Sequence, residues 1–194
     1  MPTFTNMVRE IQVKPKDKSN DKIYTPLKLA KYCIELCDIK PDETVLDPCR
    51  GEGAFYNQIP NENKFYCEID EGKDFFEWNT KVSTIIGNPP YSIWNKWIEH
   101  TLKHCDKFCY VFGVYNFTPP RLKRIMDAGF GVSKFTLAKV DWWFSPTYIV
   151  VCERNKPSIC SVIHKRFLCD ECNSHTCARG KCGNHPNKCT NISK

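Results

Sequence analysis

The sequence predicts an α/β fold: a mostly parallel sheet with one antiparallel strand in its edge region, followed by a small Cys-rich appendage. Three observations predict it. Apolar runs of strand length alternate with segments of helical periodicity, which is the pattern of βαβ units. The last two strand-like runs follow one another without a helix between them, which calls for an antiparallel pairing. Beyond Lys156 the apolar periodicity gives way to Cys, Lys, Asn, His and Gly. A chain of 194 residues accommodates one medium domain plus such an appendage. The predicted divisions are a polar lead-in over 1–22, the main domain over 23–157 and the tail over 158–194.

Taken in order, the lead-in ends in a run of Lys, Asp, Ser and Asn with little to bury. A helix is predicted from Tyr24, with Pro26 at its first position and Leu27, Ala30 and Ile34 at helical spacing. Val45–Leu46 reads as a short buried strand ending at Asp47. Lys64–Ile69 and Val82–Gly87 read as two more strands bounded by turn signals. Trp94–Cys105 is an amphipathic helix with Trp94, Trp97, Ile98, Thr101 and Leu102 on one face. Phe108–Val114 is a strand, Arg121–Ala128 a helix ending at Gly129, and Val132–Val140 with Thr147–Cys152 the final strand pair.

Composition narrows the class. Hydrophobic residues make up 41% and aromatic residues 13%, which excludes global disorder. No run approaches the roughly 18–20 apolar residues of a membrane span, and no charged-then-apolar leader is present. A soluble, intracellular protein without membrane contact is expected. The net charge of +6 is uneven: from Lys156 onward seven Lys/Arg stand against two acids. Five of the thirteen cysteines lie between Cys169 and Cys189. The others with apolar neighbours (Cys33, Cys37, Cys49, Cys67, Cys105, Cys109, Cys152) are expected as buried thiols.

Three segments carry chemistry. Asp47-Pro48-Cys49-Arg50-Gly51-Glu52-Gly53 is a strand end followed by a glycine-containing turn. An acid there can hold a ligand's ammonium group, and Gly51 and Gly53 let the backbone approach the ligand. About 20 residues on, Glu68 and Ile69 end the next strand, where a carboxylate reaches ribose hydroxyls in nucleotide-binding sheets. Asp74-Phe75 then sets an acid beside an aromatic, suited to an adenine amino group and ring face. Third, Asn88-Pro89-Pro90-Tyr91 follows an apolar strand directly. Two prolines stop the strand and fix its backbone. The Asn88 side-chain oxygen and the Pro89 carbonyl can then converge on the two hydrogens of one amino group, with Tyr91 offering a flat face to its ring.

Together, Asp47-Pro48-x-x-Gly51-x-Gly53, Glu68, Asp74-Phe75 and Asn88-Pro89-Pro90-Tyr91 resemble the S-adenosylmethionine-dependent amino-methyltransferases of DNA, especially the adenine-N6 branch. Tyr24-Thr25-Pro26 resembles the start of the helix that precedes the cofactor strand in one permutation group of that family. The resemblance covers roughly residues 22–155 and implies a Rossmann-like methyltransferase sheet. It implies that Tyr24, Thr25, Pro26, Asp47, Pro48, Gly51, Gly53, Glu68, Ile69, Asp74, Phe75 and Asn88 bind S-adenosyl-L-methionine. It implies methyl transfer to adenine N6 at Asn88, Pro89, Pro90 and Tyr91, the base being flipped out of a duplex or already single-stranded. Tyr91 and Phe144 are the candidates for stacking on it. Arg50 stands where the family has a small residue or Cys, and the Glu68–Asp74 stretch is too short for the helix that family carries there. No large recognition domain follows, which leaves room for a separate recognition subunit. The same chemistry on RNA or on a protein glutamine amide, and a catalytically silent nucleic-acid-binding partner subunit, are the alternative readings.

In the tail, Cys169, Cys172, Cys177 and Cys182 resemble a zinc knuckle, with Cys177 where that module has His. His185 and Cys189 are alternates in the ligand set. A structural Zn²⁺ is expected. Such a tail either grips nucleic acid or serves as a stapled end, and a disulfide framework is the third reading.

Overall fold

The strands form where β-branched and aromatic residues alternate or cluster, and they make one six-stranded sheet. The structure is a computed structural model that describes residues 23–159 apart from 142 and 144. The chain divides into two units, Met1–Ser161 and Val162–Lys194. Everything below concerns the first. The tail ligands Cys169, Cys172, Cys177, Cys182, His185 and Cys189 lie outside the described residues, as do the stacking candidate Phe144 and the lead-in.

The elements are α1 (Leu27–Cys37), β1 (Val45–Asp47), β2 (Lys64–Tyr66), β3 (Val82–Gly87), α2 (Trp94–His104), β4 (Cys105–Gly113), α3 (Pro119–Asp127), β5 (Phe130–Ala138) and β6 (Thr147–Arg154). β1 pairs in parallel with β2 and with β3, and β3 in parallel with β4. β6 runs antiparallel between β4 and β5. The expected single antiparallel strand is therefore one position in from the border, with β5 outside it.

Both faces are covered. α1 brings Ala30, Cys33 and Cys37 onto Val45, Ile86, Cys109, Val111, Ile149 and Val151. On the other face α2 sets Trp94 against Phe112, ring centroids 4.5 Å apart, and Trp97 Nε1 donates to the Tyr110 hydroxyl at 3.2 Å. That hydroxyl also bonds Thr101 Oγ1 at 2.8 Å, so the polar end of a fully buried Tyr is satisfied.

Several boundaries shift from expectation. Pro26 is the residue before α1, extended at ψ 139°, and helical geometry begins at Leu27. α2 passes into β4 with no connecting residue, so the strand starts at Cys105. α3 begins two residues early because Pro119 and Pro120 occupy its first turn, where a missing N–H costs nothing. β2 is shorter than predicted: Ile69 belongs to a 3-10 turn, Ile69–Glu71.

The chain leaving β6 turns at Asn155 (φ 58°) and crosses Gly131 so closely that a Cβ there would lie 2.0 Å from the Lys156 carbonyl oxygen. It then follows the outer border of β5, where Ile159 N–H donates to the Val132 carbonyl at 2.9 Å. Ser158 Oγ accepts from Val132 N–H at 3.0 Å. Among the described residues no helix is long and apolar enough to cross a membrane.

Candidate active site

Parallel strands end on one side of the sheet, and the turns leaving them define a crevice there. The turns after β1, β2 and β3 line a cleft of about 610 Å³. Tyr24, Pro48, Gly51, Glu68, Ile69, Asp74, Phe75, Asn88 and Pro90 all face it, so nine of the residues named from sequence converge. Thr25, Pro26, Asp47, Gly53, Pro89 and Tyr91 are not in its wall.

The turn after β1 is built on two left-handed glycines, Gly51 (φ 53°) and Gly53 (φ 84°). A side chain at either would strain the backbone, and at Gly53 a Cβ would lie 2.6 Å from the Asn57 amide. Asp47 organises this turn from beneath. It is fully buried, its Oδ1 accepts from Cys49 N–H at 3.3 Å, and its Oδ2 accepts from Tyr56 N–H at 3.1 Å. Burial raises its pKa to about 7 against the opposing pull of those two bonds. The expectation that Asp47 faces a ligand's ammonium group is therefore corrected: its carboxylate holds the loop, not the cleft.

Glu68 links the first two turns. Its Oε2 accepts from Gly51 N–H at 2.6 Å and its Oε1 from Asp70 N–H at 3.2 Å. Arg50 N–H donates to the Cys67 carbonyl at 3.0 Å, a second stitch. The Arg50 side chain lies over the Tyr66 ring, 4.3 Å from its centroid, and pairs with Glu71. A large residue is thus accommodated where a small one was expected, because Arg50 lies on Tyr66 behind the wall residue Glu71 and is not itself part of the wall. In place of a helix, the short stretch after Glu68 makes a 3-10 turn closed by Gly72 (φ 72°) and a Glu68–Lys73 bridge. This brings Asp74 back beside Glu68. Asp74 Oδ1 accepts from Phe76 N–H at 2.9 Å and opens the 3-10 turn Phe75–Glu77.

Asn88 follows β3 directly, with its side-chain amide and its main-chain carbonyl engaged. Its Nδ2 donates to the Ile23 carbonyl at 3.4 Å, its Oδ1 accepts from the Tyr91 hydroxyl at 3.0 Å, and its main-chain carbonyl accepts from the Cys49 thiol at 3.3 Å. Tyr91 differs from expectation. Its ring packs inward on Gly113, and its hydroxyl also lies 3.3 Å from the Val111 carbonyl. Burial pushes the Tyr91 pKa up, so the hydroxyl stays a donor. Tyr91 acts here as the prop of Asn88 and presents no open face to the cleft.

Sequence reasoning missed Ile23, Cys49, Glu52, Asp70, Glu71, Phe76, Ile93 and Trp97 in the cleft wall. Cys49 was grouped with the buried thiols; the other six are buried, and Cys49 is only half-buried. Its position two residues after Asp47 was the available signal. Among the described residues no cluster of His, Cys, Asp or Glu is arranged to hold a metal ion.

Compared by sequence, the chain matches no protein-family model and no curated protein. Compared by structure, it is similar to a proposed RNA methyltransferase from Pyrococcus horikoshii, with a TM-score of 0.55 and 17% identity over 73% of this chain and 91% of that one. It is similar to the 23S rRNA methyltransferase ErmE, with a TM-score of 0.51 and 16% identity over 71% of each chain. It is also similar to the M protein of the type I restriction enzyme EcoKI, with a TM-score of 0.56 and 12% identity over 68% of this chain and 44% of that one. The chain shares the fold of these structures. Its crevice stands where that fold's strand order places ligands, at the ends of β1 and β3.

Proposed function

We propose that the chain transfers a methyl group from S-adenosyl-L-methionine to the exocyclic N6 amino group of adenine in DNA. The observation that carries this reading is the junction of Asn88-Pro89-Pro90-Tyr91 with the acidic cleft of Glu68, Asp70, Glu71 and Asp74. The cleft suits that cofactor. Its wall among the described residues holds five carboxylates and no Lys or Arg, which favours a ligand bearing ammonium and sulfonium charges. Ile69, Phe75 and Trp97 supply the apolar surface a purine ring requires, and about 610 Å³ is the scale of a cofactor site. Glu68 would hold ribose hydroxyls and Asp74 an adenine amino group, with Gly51 allowing close backbone approach. When bound, the cofactor supplies an electrophilic methyl group on sulfur.

The residues of the chain do the rest. Tyr91 occupies one acceptor direction of Asn88 Oδ1, which leaves the other to receive an N–H of the incoming amine. The Pro89 carbonyl receives the second N–H, its direction fixed by the two prolines. Two accepted bonds favour a pyramidal nitrogen and stabilise positive charge as it develops, which is electrostatic preorganisation. The proton leaves only after the nitrogen is quaternised and acidic, so no base is required before attack. RNA as the acceptor is the second reading, supported by the similarity to the Pyrococcus protein and to ErmE.

The test combines two measurements. Calorimetry of the purified chain with S-adenosylmethionine should give saturable heat. Mapping of modified bases in DNA and RNA from cells expressing the chain should find N6-methyladenine in DNA. Absence of cofactor heat would overturn the reading, and marks confined to RNA would replace it with the second.

A further inference from the structure

Charge divides this unit in two. Residues 23–77 carry six Lys/Arg against twelve Asp/Glu, and residues 78–159 carry eleven against five. The first part supplies all five carboxylates of the cleft wall, the second Asn88, Pro90, Ile93 and Trp97. The second holds an aromatic surface that the cleft does not use. On one sheet face, Tyr110 and Phe112 of β4 are buried beneath α2, and Phe108 beside Phe130. The row continues into solvent. Phe117 lies 5.1 Å from Phe112, Phe117 is 6.1 Å from both Phe135 and Tyr148, and Phe135–Tyr148 are 4.9 Å apart, centroid to centroid. Leu137, paired across strands with Tyr148, extends it. Phe135 is 42% and Leu137 63% exposed. Exposed apolar side chains in mutual contact make this a candidate interaction surface.

The shelf begins where the Asn88 loop ends. The Tyr91 ring and the Asn116 side-chain amide both pack on Gly113, and Phe117 follows Asn116. Arg121 Nη1 fixes that corner, donating at 2.9 Å to both the carbonyl and the side-chain oxygen of Asn116.

We propose that this shelf stacks an unpaired base of a nucleic-acid acceptor, adjacent to the base presented to Asn88. The inference rests on the nucleic-acid reading above and adds a second base contact to it. Three features select this occupant. The elements bordering the shelf, α3 and the residue after β5, carry Arg121, Lys123, Arg124 and Lys139 against Asp127, which pairs with Lys123, and Glu99, which pairs with Arg124, and the remaining excess attracts phosphate. Exposed rings accept the π-face of any base. A second copy of this chain docking through the same patch would bring two positive halves together.

The experiment is fluorescence anisotropy of a labelled adenine-containing single-stranded DNA oligonucleotide with the full chain, over a salt series. Phe135→Ala should weaken binding roughly fivefold or more, the loss of one base–aromatic stack. Phe135→Trp should restore it. Phe65→Ala, an equally exposed aromatic on β2 in the acidic half, should change it by less than about twofold. Leu137→Ser serves as the second variant if Phe135→Ala melts early. Oligonucleotide binding that is the same in parent, Phe135→Ala and Leu137→Ser would overturn the shelf and leave the reading of the catalytic site intact. A parent that binds S-adenosylmethionine but no oligonucleotide would overturn both the shelf and the nucleic-acid acceptor. A concentration-dependent dimer lost in Phe135→Ala would assign the shelf to self-association instead.

Discussion

The two halves of the sheet solve different problems. β1 and β2 are three residues each, and most of the chain around them is turn: left-handed glycines, three 3-10 segments and carboxylates that accept from backbone N–H groups. β4, β5 and β6 run nine, nine and eight residues, with aromatic side chains packed along them. The short strands end early and their loops line the cleft, while the long strands form a slab. The Asn88 loop sits on the boundary, taking one hydrogen bond from the turn side through Cys49 and another from the slab side through Tyr91. Precise placement of one amide therefore depends on both halves.

Four changes sharpen or break this contrast. Asn88→Ala acts at the boundary and should reduce methyl transfer by ~10²–10³ or more, the scale of losing one preorganised electrostatic group. Cofactor affinity measured by calorimetry should stay within a few-fold of the parent. Gly131→Ala acts only on the slab. Its Cβ meets a carbonyl of the main chain, which cannot rotate aside, so urea unfolding should show a loss of about 3 kcal/mol. The folded fraction should bind cofactor normally; weakened binding would mean that the halves are coupled.

Glu68→Ala acts only on the turns. It removes a charged acceptor and leaves Gly51 N–H without its partner, so cofactor affinity should fall about tenfold or more. Its melting temperature should move little. The smallest effect is the pH response of Asp47. Its folded pKa of about 7 exceeds the unfolded 3.8, so the folded chain retains a proton that the unfolded chain releases. The associated stability is complete below the unfolded value and is lost as pH climbs to about 7. Melting temperatures should therefore rise as pH is lowered from 8 to 6, and Asp47→Asn should flatten that part of the curve.

Much of this was legible in the chain because local chemistry and tertiary position agree. The apolar run Val82–Gly87 closed by Asn88-Pro89-Pro90 left no choice of where β3 ends. The Trp94, Trp97, Ile98, Thr101 and Leu102 spacing defined the buried face of α2, all five being buried. What could not be read depended on depth and direction. Asp47 sits at a strand tip, where an acid can face outward or inward; only the donors at Cys49 and Tyr56 decide for inward. Tyr91 carries an aromatic face and a hydroxyl, and which one is used depends on Val111 and Gly113, some 20 residues away. The early start of β4 was hidden because Lys107 and Asp106 interrupt its apolar run. Both find ionic partners, Lys107 with Glu43 and Asp106 with Lys81 and Arg154.

The chain that passes over Gly131 also settles which border of the sheet is open. By returning along β5 it pairs with Val132 through Ile159 N–H and the Ser158 hydroxyl and occupies the start of that margin. β2 lies at the opposite margin, with only β1 beside it. Any foreign strand seeking backbone partners would meet three residues there, among them Lys64, whose ammonium is tied to the Tyr56 and Ile59 carbonyls. A short, charged rim offers little template for edge-to-edge growth. At one border the sheet is blunted where its own chain meets Val132, and at the other by brevity.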